Sequence, residues 1–562
     1  MGNQRLARWD LRVPMRDGAT LSADLFPASS ATPRPVALHR TPYLTTNPLF
    51  VRQAQYLASE GFHVVLQDVR GRGDSDGEWD PFRNEGSDGY DTIEWLAEQE
   101  WCDGQVAMFG GSYSGWVQWA AARERPPHLR TLISSAASGH WMRELPWRNG
   151  MFTLSSLIWL FYTGGRKLRD LEHVDWDAVF AHLPVCEMPA VLGRDLPTFL
   201  TWLEHSCLDE YWGSLLLTRE DFARIDLPVL HITGTYDADQ PGALFFYEGM
   251  TSHSPAAKDQ ALLMGPWDHW GACGLPSQQL GGFDFGAESV LPVASTVHVA
   301  WLRHHLDGVE HVDLAQESRT FLTGANIWHS SASWPPDARM LELYLGEVSS
   351  TNADVTGGLW PQPASSASHD TYRYDPMDPV IPVAGANLAA QDGNRDATST
   401  LDLSPLIARP DVLSYDAPAQ VHALVLSGRP ELTLVATSDC LDTDWVCALH
   451  DVAEDGHSQL LTKGALRARF RESFAAERLL EPGVEYAYEI PFEAIGHVVL
   501  PGHRLRLTVT SSDFPACDRN LNTGGRIGYE TQAVVATNSI IKGGTRGSVL
   551  RLPVPAREDV AQ

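Results

Sequence analysis

The sequence predicts an α/β protein: a mostly parallel sheet, interrupted by a helical insertion and followed by a separate β-sandwich. Three observations carry this. Short runs of branched, apolar residues alternate with helical patterns over residues 1–140 and again over 226–338, as in a parallel sheet covered by helices. Between them, 141–225 is helical in pattern and rich in large aromatic residues. From 339 to the end the chain turns strand-like, with frequent turn signals, as in a sandwich of jelly-roll type. At 562 residues the chain is too long for one core and divides into about three units.

Taken in order, residues 10–26 read as two strands about a turn at Arg16-Asp17-Gly18. Val36–Arg40 and His63–Val69 are candidate buried strands, each followed by loop signals. Gly89–Gln99 places Ile93, Leu96 and Ala97 at helical spacing. Val106–Phe109 is a further strand, ending in Gly110-Gly111-Ser112-Tyr113-Ser114-Gly115. A small-residue helix with Val117, Ala120 and Ala121 follows, and then strands Thr131–Ser135, Pro228–Thr233 and Ala261–Gly265. The insertion carries Trp141, Trp147, Phe152, Trp159, Phe161, Tyr162, Trp176, Phe199 and Trp202; it reads as a cap over a site. In the sandwich, Ala423–Leu426, Glu431–Ala436, Glu485–Ile490 and Arg504–Thr510 are strand candidates, and Pro361–His369 is a surface loop.

The formal net charge of −29 argues against nucleic acid as a partner, because a phosphate backbone needs a basic surface. No run of 18 apolar residues occurs, so no membrane span is expected. The first residues lack a secretory apolar core, and Leu6 stands where a myristoylation signal has Ser or Thr. Seven scattered cysteines without a CxxC pair fit reduced thiols in a cytoplasm and give no metal-site spacing. Asp74-Ser-Asp76-Gly77 has its glycine misplaced for a calcium loop. No phosphate loop or dinucleotide fingerprint is present, so no cofactor and no metal are expected.

The chemistry concentrates at Ser112. A serine on a sharp strand-to-helix turn is lifted clear of the sheet, and the tight backbone demands small neighbours. Gly110 precedes it by two positions, while the second glycine falls one place later than in G-x-S-x-G. A serine hydroxyl needs a base, and the base an orienting carboxylate. In α/β-hydrolases these follow in the order serine, acid, histidine. Asp237 ends the run Pro228–Asp237, and His269 closes Gly265-Pro-Trp-Asp-His269, so both order and position fit. His39 and His231 fall within strands, and His140 and His304 lack a carboxylate in this order.

With these motifs in place, the chain resembles the cocaine esterase/NonD-type hydrolases, relatives of α-amino-acid ester hydrolases and Xaa-Pro dipeptidyl-peptidases. The resemblance runs through Val13–Gly18, Arg40-Thr-Pro-Tyr43, Gln67–Gly71, Gly110–Gly115, Tyr236-Asp237, Gly265–His269, Asp442-Thr-Asp444, Ser511–Pro515 and Asp518-Arg-Asn520. In that family the serine turn reads G-x-S-Y-x-G, which accounts for the late glycine. The resemblance implies an α/β-hydrolase domain with an inserted helical cap and a C-terminal jelly roll, and a triad of Ser112, Asp237 and His269. It implies an oxyanion hole made by the Tyr43 hydroxyl and the Tyr113 N–H. It further implies Trp147 and Trp159 as acyl-site residues, with a loop at Gly385–Gly393 beside them. Asp239 stands where the amino-acid ester hydrolases bind an α-ammonium, while Gln240 replaces a second carboxylate; alternatively Asp239 starts a helix.

The expected activity is hydrolysis of a small-molecule ester or activated amide through an acyl-enzyme. The alternatives are an aminopeptidase or α-amino-acid ester hydrolase/acylase and, outside enzymes, a carbohydrate-binding jelly-roll protein. Association into a homo-oligomer stays open.

Overall fold

The computed structural model describes residues 7–30, 32–309, 318–348, 355–381, 401–402 and 404–556. Strands β1 (Arg8–Pro14), β2 (Thr20–Phe26), β3 (Arg34–Thr41), β4 (His63–Asp68), β5 (Cys102–Gly111) and β6 (Leu129–Ser135) build the first part of the main sheet. The insertion contributes a two-stranded ribbon, β7 (Trp147–Arg148) with β8 (Met151–Phe152). After it, β9 (Val229–Tyr236) and β10 (Gln260–Asp268) rejoin the sheet. Its order is β1-β2-β4-β3-β5-β6-β9-β10, followed by Ser318–Leu322 and Ile327–Ser331, ten strands in all. The centre is parallel, and antiparallel pairs close both ends. The central strands are buried along their length, which is why they read as apolar runs rather than alternations.

Helix α1 (Pro48–Ser59) packs Ala54 and Leu57 on one face of this sheet beside Trp301, Leu302 and Leu306 of His298–Asp307. Helices α2 (Glu85–Ala97) and α3 (Tyr113–Glu124) cover the other face through Ile93, Leu96, Val117 and Trp119. Asn47 caps α1 by accepting the Leu49 N–H at 2.9 Å, and Pro48 fits the first helical position. The helix after β4 starts at Glu85 rather than Gly89. Its acidic first turn, Glu85 and Asp88, suits the positive end of the helix dipole. Helix α3 is buried on nearly all sides rather than along one stripe. Gln118 tolerates that position because its amide donates to the carbonyls of Gly110, Ser114 and Ile133.

The insertion differs from the all-helical expectation at Trp147–Phe152. Asn149 and Gly150 both take positive φ, +50° and +89°, the two-residue turn that Asn-Gly favours and that closes a hairpin. Helix α4 (Ser155–Thr163) and several short helices follow. Most of the aromatic residues form the insertion's own core: Trp141, Trp147, Phe152, Phe199 and Trp202 are all at most 1% exposed.

Beyond Ala338 the chain forms an eleven-stranded sheet system and a separate two-stranded pair. Strands at Leu424–Gly428, Glu431–Ser438, Tyr486–Pro491 and Arg504–Thr510 lie within two residues of those read from the sequence. The segment 361–367 is an exposed loop entering the strand Ser368–Tyr374. The segment Gly385–Gly393 lies outside the described residues.

A buried charge network ties this unit to the ribbon. Arg467 donates to Asp444 at 2.8 and 2.9 Å and to Asp518 at 3.0 and 3.1 Å. Asp518 accepts the Phe152 N–H through its side chain, while its own N–H donates to the Phe152 carbonyl, both at 2.7 Å. Arg469 pairs with Asp442 at 2.6 Å, and Asn520 donates to both Asp442 and Asp444 at 2.9 Å. Asp442, Asp444, Asp518 and Asn520 belong to the C-terminal sequence motifs, and Arg467 and Arg469 are the cations that pair with the aspartates. Their part is to hold two units together.

Candidate active site

Ser112 is the residue between β5 and α3, with φ +61° and ψ −130°. A non-glycine residue there is strained by about 1–3 kcal/mol, and the surroundings hold it in place. Its N–H donates to the Ser135 carbonyl at 3.0 Å, and its carbonyl accepts the N–H groups of Gly115 and Trp116. A Cβ at Gly110 would lie 2.7 Å from Ser114 Cβ and 3.0 Å from the His39 ring; one at Gly115 would lie 2.7 Å from the Ser135 carbonyl. The glycines at those two places are therefore steric requirements of the turn.

Tyr43 follows β3 on a loop fixed from several sides. Thr41 Oγ1 accepts the Tyr43 N–H at 3.0 Å, Asp68 accepts the Thr45 N–H at 2.9 Å, and Arg72 Nε donates to the Pro42 carbonyl at 2.8 Å. The Tyr43 hydroxyl stands 3.3 Å from Ser112 Oγ and accepts the Trp159 indole N–H at 3.0 Å. Between Tyr43 and Ser112 either hydroxyl can donate to the other. Burial pushes the Tyr43 pKa up, so the group stays a donor. The Tyr113 N–H belongs to the first turn of α3, where N–H groups have no intrahelical acceptor. The Tyr113 side chain is anchored below the site, donating to Glu85 at 2.8 Å and accepting the Phe82 N–H at 2.9 Å. Glu85 in turn pairs with buried Arg40 at 2.9 Å.

Asp237 lies past the end of β9 and is fully buried. It accepts from Thr233 Oγ1 at 2.9 Å, the Asp239 N–H at 3.0 Å and His269 Nδ1 at 2.9 Å. His269 lies just past the end of β10. Burial opposes charge on its ring, but Cys273, Asp239 and Asp237 favour it and raise its pKa well above 6.5. Of the other histidines weighed from the sequence, His39 packs between Phe50 and Phe109, and His231 bonds Gln260 within the sheet.

Tyr43, Ser112, Tyr113, Trp159, Asp239 and His269 share one cavity of about 160 Å³. Trp147 does not line it. That side chain is fully buried in the ribbon, edge-on to Phe152 at 4.9 Å. Asp239 sits at the N-cap position of the helix Gln240–His253 but makes no capping hydrogen bond; its side chain turns into the cavity instead, 3.7 Å from His269 Nδ1. Burial pushes its carboxyl up to about 6, with Asp237 adding and His269 and Ser138 opposing. Gln240 faces away, donating to the carbonyls of Gly234 and Ala494 at 3.0 Å.

Comparison with known proteins agrees with this architecture. Residues 17–271 match the X-Pro dipeptidyl-peptidase (S15 family) domain, and residues 305–551 match the X-Pro dipeptidyl-peptidase C-terminal non-catalytic domain. Cocaine esterase of Rhodococcus sp. (strain MB1 Bresler) is 33% identical over 594 residues, covering 99% of this chain and all of that protein. The chain belongs to the cocaine esterase/NonD-type family of serine hydrolases. Among solved structures, an α-amino acid ester hydrolase superposes with a TM-score of 0.88 at 25% identity, covering 98% and 97% of the two chains. An aminopeptidase from a marine sediment Thaumarchaeota archaeon has the same TM-score at 24% identity, with the same coverage. The chain is thus a serine hydrolase with an α/β-hydrolase-like N-terminal domain and a strand-rich C-terminal domain.

The family's motifs take on structural meaning in this chain. Arg40 and Gln67 are bonded to each other at 2.8 Å under the serine turn, and Arg70 pairs with Asp88 of α2 at 2.6 Å. Glu144 and Arg148 line this cavity and Cys273 stands beside His269, and the sequence singles out none of the three. Glu144 is buried, accepting the Gly242 N–H at 2.7 Å and the N–H groups of Gly139 and His140; burial and Asp239 raise its pKa well above the usual carboxyl range. Arg148 is paired only loosely, 3.9 Å from Glu493. Cys273 places its thiol 3.9 Å from His269 Nε2. The four-residue spacing of His269 and Cys273 was the available signal; Glu144 and Arg148 had none.

Proposed function

We propose that Ser112, His269 and Asp237 form the catalytic triad of a cofactor-independent esterase acting on small-molecule esters. Ser112 Oγ attacks the ester carbonyl while His269 takes its proton. Asp237 holds the imidazole by Nδ1, leaving Nε2 to act. Negative charge on the carbonyl oxygen is met by the Tyr43 hydroxyl and the Tyr113 N–H. His269 then protonates the leaving alcohol, the acyl-enzyme forms, and water activated by His269 releases the acid. The observation that carries this reading is the Tyr43 hydroxyl 3.3 Å from Ser112 Oγ, in one cavity with an Asp237-bound His269. A fluorophosphonate should label Ser112 in the wild type and fail on Ser112→Ala; labelling elsewhere on the chain overturns the assignment.

A second reading takes an α-ammonium substrate, as an amino-acid ester hydrolase, acylase or aminopeptidase would, and rests on the Asp239 carboxyl in the cavity. Two features weigh against it. Gln240 is turned into the protein, and the Arg148 guanidinium, which stays charged, lines the same cavity. Neutral esters are therefore favoured. Comparing p-nitrophenyl esters with aminoacyl anilides decides between the two.

The same proposal treats 141–225 as a cap, because Trp159 on α4 reaches the Tyr43 hydroxyl. It treats 339–562 as a jelly roll and 1–140 with 226–338 as the hydrolase domain. The cytoplasm is the proposed location, supported by seven free thiols.

A further inference from the structure

A second cavity, of about 130 Å³, meets the first at the serine, sharing Tyr43, Ser112, Trp159, His269 and Trp270 with it. The two differ in chemistry. Asp239, Glu144, Arg148 and Asp268 line the first. The second has Leu49, Phe50, Tyr162 and Trp270 in its wall and no Asp, Glu, Lys or Arg among its lining residues. Burial holds its two further histidines, His39 and His298, at pKa values of about 3 and about 4, so both are neutral near pH 7.

The imidazole of His269 spans the two. Its Nδ1 edge faces Asp237 and Asp239, and Asp239 lines only the first cavity. Its Nε2 edge faces Cys273, 3.9 Å away, and Cys273 lines only the second. Nε2 carries the proton taken from Ser112, and that proton passes to the alkoxy oxygen as the C–O bond breaks and the Ser112 acyl bond persists. The oxygen that leaves must lie where Nε2 points.

We propose that the cavity of Leu49, Phe50, Tyr162 and Trp270 is the leaving-group site, and that it selects esters of uncharged, apolar alcohols. This rests on the triad reading above. The acyl part then occupies the cavity of Trp159, Asp239 and Arg148, and the alcohol drains from the apolar cavity before water attacks.

Two ester series test this. One keeps the acetyl group and varies the alcohol through methanol, butanol and cyclohexylmethanol, whose oxygens have similar basicity. The other keeps methanol and varies the acid over matching sizes. In the wild type kcat/KM should climb with alcohol size, by up to about fourfold for each methylene buried. Leu49→Trp, which fills the cavity from the first turn of α1, should cut the cyclohexylmethyl-to-methyl ratio at least tenfold (roughly the worth of one or two methylenes) and move the acyl-series ratio less than about twofold. Phe50→Ala should shift the preference toward the bulkier alcohol. A flat alcohol series in the wild type overturns the proposal, as does a Leu49→Trp effect that falls on the acyl series; the wild-type series decides even if both variants misfold. Fluorophosphonate labelling of Ser112 separates the two readings: labelling with a flat series removes only the leaving-group site, while absence of labelling removes the triad and this site together.

Discussion

Tyr43→Phe removes one oxygen and keeps the ring, and the structure predicts two separable consequences. The first is catalytic. The hydroxyl stands 3.3 Å from Ser112 Oγ with its acceptor side held by Trp159, so it is preorganised to donate to the oxyanion. Loss of one such donor lowers kcat by about 10²–10³, or about 2.7–4 kcal/mol. The second is structural. The Trp159 indole N–H, on a side chain only 9% exposed, loses its acceptor, which costs about 1–3 kcal/mol of stability. Steady-state kinetics on a p-nitrophenyl ester, with the folded fraction checked by circular dichroism, measure the first; urea unfolding measures the second. A kcat within about threefold of wild type, with Ser112 still essential, would refute the oxyanion role. A full kcat loss with unchanged stability would refute the role given to Trp159.

Other expectations are as direct. Ser112→Ala should fold and lose several orders of magnitude in turnover, because the triad acts as a unit; retention of more than about a tenth of kcat contradicts the assignment. Asp239→Asn removes a negative charge that raises the His269 pKa. Since the neutral imidazole is the base, the acid limb of the kcat/KM–pH profile should move to lower pH, and an unmoved limb would uncouple the two groups. Arg467→Met leaves Asp444 and Asp518 buried without their cation and should cost about 3–5 kcal/mol, read as a lower urea midpoint.

What was legible in the sequence was whatever local chemistry specifies. The glycines around Ser112 announce a tight turn, and the order Ser112, Asp237, His269 follows from where the strands end. The parallel strands show as apolar runs because both their faces are covered. Trp147 was misplaced because a large aromatic residue near a site reads the same whether it lines the cavity or fills the core beneath it. The Asn149-Gly150 pair, a hairpin signal, was submerged in the helical pattern around it. Glu144 and Arg148 were illegible in a stronger sense. They reach the cavity through a turn at Gly139–His140 and a ribbon anchored by Asp518, and neither contact has a local signature.

That anchoring has a consequence for recombination. The strip 147–152 is encoded within the helical insertion, yet Asp518 bonds the Phe152 backbone on both sides, and the Arg467 N–H donates to the Asn149 carbonyl at 3.0 Å. Ala516, four residues past Ser512, forms part of the cavity wall that holds Ser112. A chimaera cut at the linker before Ala338 would thus import a foreign C-terminal half with no matching seat for the ribbon, and would deform the cavity from behind. Grafts between relatives should succeed when the ribbon and residues 442–444, 467–469 and 513–520 travel together, making the heritable module a patchwork of four separate stretches.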